Sequence, residues 1–363
     1  MQPISIYIHW PYCSKKCPYC DFNSFVTDKI DYDKWESAYI KAIDSYREII
    51  AGRKIKTIFF GGGTPSLATP NIIESIINKL NAVGNFSDAV EITLEANPTS
   101  VEARKFSEFR QVGVNRVSLG IQSLRDDNLK FLGRNHSANE AIAAIEAVKE
   151  NFDNYSLDFI YALPHQKLSD WEEELTEAIA LASNHLSFYQ LTIENGTKFG
   201  AMAKAGLLNE IDEEVAAEMF DLTYEITKSH NFHRYEVSNH ARPGFESLHN
   251  LNYWQYGDYI GIGPGAHGRY NKFMTIDVKQ PELWIKQVFD NGNGIDVRQN
   301  LSEEDIRIEK IIMGMRINCG IDISLVNDFG TLIADQLVVI EDGRVKTTNL
   351  GVKFLNSVIK RIA

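Results

Sequence analysis

Apolar residues recur along this chain in short blocks rich in β-branched and aromatic side chains: Ile4–His9, Thr57–Phe60, Val90–Glu95, Arg116–Gly120, Tyr155–Tyr161 and Leu186–Thr192. Blocks this short, bounded by turn formers, predict strands. Between them the apolar positions shift to helical spacing, over Tyr32–Ile50, Asn71–Leu80, Val101–Gln111, Asn139–Lys149 and Trp171–Leu181. Six strand–helix steps with near-continuous apolar strands predict an α/β fold, a parallel sheet covered by helices. Chemically loaded residues follow several different strands, which suits a partial (β/α)6 barrel better than an open nucleotide-binding sheet.

The second half reads differently. A helical pattern spans Asn209–Ser229, and residues 232–270 are then dense in glycine and aromatic side chains, as in SLHNLNYWQYGDYIGIGPGAHGRY. That composition predicts a connecting and lid region over 231–290, with the GPGAHG glycines as a gate. Past a linker near Gly292–Gly294, residues 291–363 predict a small α+β domain. Its LVVIEDGRVKTTNLG segment reads as a hairpin turning at Asp342-Gly343. The barrel is expected over 1–230.

Charge and composition narrow the function. A net charge of −12 repels phosphate backbones, which excludes general nucleic-acid binding. No run approaches the roughly 18 apolar residues of a membrane span, and MQPISIYIHW lacks a secretory pattern, so the cytoplasm is the expected compartment. The chain has 4 cysteines, and Cys13, Cys17 and Cys20 share one short stretch. In a reducing compartment, such clustering points to metal ligation before disulfides.

The cysteine loop, His9-Trp-Pro-Tyr-Cys13-Ser-Lys-Lys-Cys17-Pro-Tyr-Cys20-Asp-Phe22, directly follows the first strand. Three thiolates at this spacing can hold three irons of a [4Fe–4S] cubane, leaving the fourth iron for a non-protein ligand. The alternative is a zinc site, which prefers four closed ligands; only His9 offers itself as a fourth. Cys319 lies far away, in a stretch read as helical, and suits a core thiol. The second strand runs into Gly61-Gly62-Gly63-Thr64-Pro65, a loop without the lysine of a phosphate-binding P-loop. Glu95, Gln122 and Asp158 lie at or in later strands, and Arg134 follows in GRNH with His136 placed to orient it. Each of these also suits the ordinary role of satisfying loop backbone groups.

The CxxxCxxC loop, joined to GGGTP and these polar residues, resembles the signature of the radical S-adenosylmethionine (SAM) superfamily, whose fold is a full or partial (β/α) barrel. Neighbouring residues resemble the group that comprises the anaerobic coproporphyrinogen III dehydrogenases (HemN) and the heme chaperones (HemW). The resemblance implies a cluster on Cys13, Cys17 and Cys20 with SAM chelating the open iron, and reductive cleavage to methionine and a 5′-deoxyadenosyl radical. It further implies that Gly62, Gly63 and Thr64 meet the amino group, Arg134 the carboxylate, and Gln122 and Asp158 the ribose. Glu95 would meet the amine or ribose, and Tyr7 would lie near the sulfonium or cluster.

Two departures favour the chaperone side. Phe22 stands where the dehydrogenases carry a further cysteine, and their extension before the cluster has no counterpart ahead of His9. The run from Leu248 to Trp254 resembles the HNxxYW stretch tied to heme handling, which makes His249 the first candidate for heme ligation and His267 the second. Implied partners are heme or porphyrin, a flavodoxin or ferredoxin as reductant, and heme-receiving respiratory proteins. The competing function is oxidative decarboxylation of coproporphyrinogen III to protoporphyrinogen IX.

Overall fold

The computed structural model describes residues 2–363. Six parallel strands pair in chain order: β1 (Ile4–Trp10), β2 (Lys54–Gly62), β3 (Asn85–Ala96), β4 (Arg116–Gln122), β5 (Tyr155–Tyr161) and β6 (His185–Gln190). The crossovers carry helices α1 (Tyr32–Ser45), α2 (Pro70–Val83), α3 (Phe106–Gln111), α4 (Ala138–Asn151) and α5 (Leu168–Leu181). Their starts are encoded locally. Thr69 caps α2 ahead of Pro70, and Ser137 with Glu140 forms a reciprocal capping box on α4.

The strands, read from sequence as near-continuously apolar, in fact alternate. Val117, Leu119 and Ile121 of β4 and Leu157, Phe159 and Tyr161 of β5 join the apolar core beneath the helices. Residues two apart share a strand face. The other face therefore carries Arg116, Ser118, Gln122, Ser156 and Asp158, and His185 and Ser187 of β6 join them inside the barrel. The hydrophobic core lies outside the sheet, and the interior is polar. This division positions everything that follows.

Residues 231–290, expected to connect and cover, instead widen the sheet. They supply β7 (His233–Glu236), β8 (Asn239–Ala241), β9 (Tyr259–Ile262), β10 (His267–Tyr270) and β11 (Phe273–Asp277), with β12 (Ile295–Asn300) beyond. The 12-stranded order is β12-β11-β10-β9-β1-β2-β3-β4-β5-β6-β8-β7, so the sheet ends in two edges and the barrel stays partial. Further helices include α6 (Glu213–Ser229), α7 (Leu248–Trp254), α8 (Pro281–Asn291) and α9 (Glu303–Gly314). The expected gate is fastened: Gly263 N–H donates to Asp277 (3.2 Å), Gly265 N–H to the Val278 carbonyl (3.0 Å), and Asn23 Nδ2 to the Pro264 carbonyl (2.9 Å). Gly292, expected in a linker, caps α8 at φ 85° and turns the chain into β12.

The last segment has its own apolar core, including Ile311, Met315, Leu332, Val345 and Val358. Its small sheet holds β13 (Ile321–Asp322), β14 (Val338–Glu341) and β15 (Arg344–Thr347). The expected hairpin is present, with Asp342 at φ 51° and Gly343 at φ 72° as a type I′ turn requires. Cys319 is half-buried in a turn, not within a helix.

Candidate cofactor site

At the C-terminal end of β1 the chain enters the cysteine loop, whose roots are pinned. Tyr12–Cys13 pairs with Phe25–Val26, and Lys16 Nζ donates to the Phe22 and Ser24 carbonyls at 3.2 and 3.3 Å. His9 Nε2–H donates to the Asn23 carbonyl at 2.9 Å. The glycine loop after β2 lies directly beneath: Gly63 N–H donates to the Trp10 carbonyl (2.7 Å) and Thr64 N–H to the Tyr12 carbonyl (2.8 Å). A Cβ on Gly63 would stand 2.6 Å from the Tyr12 oxygen, so only glycine permits this backbone-on-backbone packing. In this structure the glycines serve first as the floor of the cysteine loop.

A cavity of about 400 Å³ opens above, and Cys13, Cys17 and Cys20 line it together with Gly63, Thr64, Glu95, Gln122, Arg134 and Asp158. Residues far apart in sequence thus meet in one space. A hydrogen-bonded chain runs around it. Thr64 Oγ1 donates to Cys13 Sγ (3.5 Å) and accepts from Asn97 Nδ2 (3.0 Å). Arg134 Nη2 donates to Asn97 Oδ1 (2.5 Å) and to the Gly120 carbonyl (3.1 Å), and Nη1 lies 3.7 Å from Cys17 Sγ. Asn97 was not singled out from sequence, although its place two residues after Glu95 in LEANP is a strand-end signal. His136 donates to the Ile121 carbonyl (3.1 Å) and makes no bond to Arg134, contrary to the orienting role expected. Burial, then the charge of Arg134, lowers its pKa to about 4.

Electrostatics follow from depth. Burial pushes the Glu95 carboxyl up to about 8, with Asp158 adding to the shift, and its one bond is from Gly62 N–H at 3.2 Å. Burial also raises the Cys13 and Cys20 thiols. Both Asp158 oxygens accept serine hydroxyls, from Ser118 (2.6 Å) and Ser156 (2.7 Å). Ser156 continues the chain inward. Because its O–H goes to Asp158, His185 must donate Nδ1–H to Ser156 Oγ (2.8 Å), and Tyr235 O–H donates to His185 Nε2 (2.8 Å).

The residues present fit a cluster with SAM. Gln122 is held at φ 67° where the β4–β5 register slips, and its Oε1 is buried without a hydrogen-bond partner in a wall of the cavity. An orphaned acceptor in a strained backbone position is open to a donor from whatever occupies the cavity. Among the described residues no three His, Cys, Asp or Glu side chains converge as a single ion requires.

Two expected residues do not line this cavity. Tyr7 faces the barrel interior, its O–H donating to His9 Nδ1 (3.0 Å), and lines a chamber that adjoins the cofactor cavity across Glu95 and Asp158. His249 sits on α7, which plugs the opposite end of the strands. It is 1% exposed and stacks on Phe59. Its Nδ1–H donates to Thr57 Oγ1 (2.7 Å) and its Nε2 accepts from Tyr253 O–H (3.0 Å), so neither nitrogen is free for iron. His267, by contrast, is exposed on β10.

The sheet and the cysteine-lined cavity define a radical SAM protein, and the sequence profile of the Radical SAM superfamily matches residues 7–178. Over 271 residues the chain is 40% identical to the heme chaperone HemW of Escherichia coli (strain K12), covering 74% of this chain and 71% of that protein. It is 34% identical over 320 residues to the heme chaperone HemW of Bacillus subtilis (87% and 84% covered). To the mitochondrial radical S-adenosyl methionine domain-containing protein 1 of Danio rerio it is 38% identical over 326 residues (87% and 73%). The solved coproporphyrinogen III oxidase HemN of Escherichia coli superposes with a TM-score of 0.84 at 21% identity, over 99% of this chain and 89% of that one, which shows a shared fold. The chain belongs to the HemN/HemW group of the radical SAM superfamily, with HemW proteins among its relatives.

Proposed function

We propose that this chain is a cytoplasmic heme chaperone of the HemW type, which binds heme beside a SAM-liganded [4Fe–4S] cluster and passes heme to respiratory proteins. The observation that supports it most is a cavity with three cysteines and no fourth: the side chain two residues beyond Cys20 is Phe22, 58% exposed. Loaded, the cofactors supply one-electron cleavage of a sulfonium, with flavodoxin or ferredoxin as electron donor.

The chain's own part is to hold and orient. Cys13, Cys17 and Cys20 bind three irons, and the Arg134 guanidinium beside Cys17 offsets thiolate charge while offering N–H groups to a carboxylate. Glu95, with Thr64 and the Gly62–Gly63 backbone, receives the amino group. Gln122 Oε1 and the remaining lone pairs of Asp158 accept ribose hydroxyls. Relatives named heme chaperones support the cargo. For the iron we assign His267 over His249, because ligation needs a free, approachable nitrogen.

The test is anaerobic. Purified protein should hold about four irons and four sulfides per chain, give a heme Soret band that His267→Ala abolishes and His249→Ala keeps, and leave coproporphyrinogen III unchanged. Conversion of coproporphyrinogen to protoporphyrinogen without stable heme binding would overturn the proposal in favour of the dehydrogenase.

A further inference from the structure

Below the cysteine cavity, inside the barrel, lies a second chamber of about 210 Å³. Glu95, Ser118, Asp158 and Tyr189 are walls common to both. At its lower end stands Arg116, 2% exposed, with its Nε sealed from solvent and without a hydrogen-bond partner. No carboxylate among the described residues lies within ion-pairing distance of it; the buried arginines Arg53 and Arg269, by comparison, face Asp258 and Glu309. A guanidinium presents five N–H donors and no acceptor, so it can be satisfied only by acceptors brought to it.

The imidazole and carboxylate acceptors nearby already take hydrogen bonds, and none is bonded to Arg116. His185 Nε2 accepts from Tyr235 and His249 Nε2 from Tyr253. Glu91 takes the Leu248 and His249 N–H groups at 3.1 and 3.0 Å. Buried polar groups are nearly always paired, and a buried charge more so. The protein leaves this guanidinium's pairing to an occupant. The chamber has room for several waters at roughly 30 Å³ each, or for one small ligand.

We propose that the chamber is a carboxylate-binding site, in which Arg116 pairs with a single carboxylate whose remainder points toward Asp158 and the cofactor cavity. The planar guanidinium matches a carboxylate in two parallel bonds, which a halide or a lone water does not use. A second anionic group is disfavoured because Asp158 closes the upper end, so the ligand carries one buried carboxylate and donors or apolar carbons above it. The carboxylate belongs either to a free small acid or to the side chain of a tetrapyrrole reaching down from above. The site itself does not depend on the heme reading; only the second source does.

Anaerobically reconstituted full-length protein is titrated with sodium propionate, coproporphyrin III and coproporphyrin tetramethyl ester, following the arginine Nε–H resonances by ¹⁵N NMR. The Arg116 signal, identified by its loss in Arg116→Lys, should shift saturably with propionate. Affinity, measured by calorimetry in all three proteins, should fall about tenfold in Arg116→Lys, which keeps the charge and loses the fork, and further in Arg116→Gln. Competition by coproporphyrin but not its ester assigns a tetrapyrrole arm, and no competition assigns a free acid. An unmoved Arg116 signal means the chamber holds water only and overturns the site, as does propionate binding that survives both substitutions. Heme affinity is read separately from the Soret band, so failure of either proposal leaves the other measurable.

Discussion

Glu95 is an acid that the fold keeps protonated near neutrality. Its carboxyl is raised from an ordinary 4.5 to about 8 by burial, so the folded state holds a proton that the unfolded chain releases. The sign follows: stability owed to this group is highest at low pH and declines as pH rises from 4.5 toward 8. An amine that chelates iron has shed its proton and can still donate N–H bonds, which favour the ionised carboxylate, so SAM affinity should rise across the same window. At pH 7, binding should release about one proton more from the wild type than from Glu95→Gln, seen as a difference in buffer-dependent heat in calorimetry. Gln122 makes the complementary case. Its orphaned Oε1 costs stability in the empty cavity, so Gln122→Leu should raise unfolding free energy by about 1 kcal/mol while weakening SAM about tenfold. If chemical denaturation and SAM binding moved in the same direction, Gln122 would be mere scaffold.

Elements, not single residues, place the cysteines. The glycine loop after β2 bears on the backbone of the cysteine loop, and Gly63→Ala drives a methyl into the Tyr12 carbonyl. That variant should fold, because the apolar core lies under the helices, yet lose at least half of its bound iron in a colorimetric assay. Inside the barrel, the chain Tyr235–His185–Ser156–Asp158 crosses β7, β6 and β5 and fixes His185 as the Nδ1–H tautomer. His185→Asn keeps a donor near the Nδ1 position and should hold SAM within about threefold of wild type. His185→Leu, which lets the Ser156 hydroxyl turn from Asp158, should lose about tenfold, or about 1.4 kcal/mol. Equal losses in the two would mean His185 only fills space.

At the scale of the whole molecule, the C-terminal unit is tied to the sheet by Arg316, which donates to the nearly buried Glu236 at 2.8 and 3.0 Å. Arg316→Ala leaves Glu236 with the Asn239 and Ser238 donors alone. Because Arg316 is itself partly exposed, the expected cost is modest, about 1–2 kcal/mol by denaturation, with faster hydrogen exchange concentrated in the last 60 or so residues. Among the described residues no helix is long and apolar enough to cross a membrane.

Much of this was legible in the chain. Strand–helix alternation is written in local periodicity, and Asp342-Gly343 or Ser137–Glu140 depends only on neighbours along the backbone. The cysteine spacing is likewise a feature of one short stretch, and the structure brings the three side chains to one cavity. Other features could not be read this way. Whether Arg116 and Ser118 face inward beside Asp158 and His185 is set by strand register, and the burial of His249 by where α7 docks. The role of residues 231–290 as sheet rather than lid depended on hydrogen-bond partners more than 200 residues away, as in Ser5 opposite Tyr259. Local pattern determined the elements and the cysteine motif because propensity and spacing are properties of neighbours. The tertiary structure alone decided which polar side chains share an enclosed space, because that is a property of strand pairing and packing between distant parts of the chain.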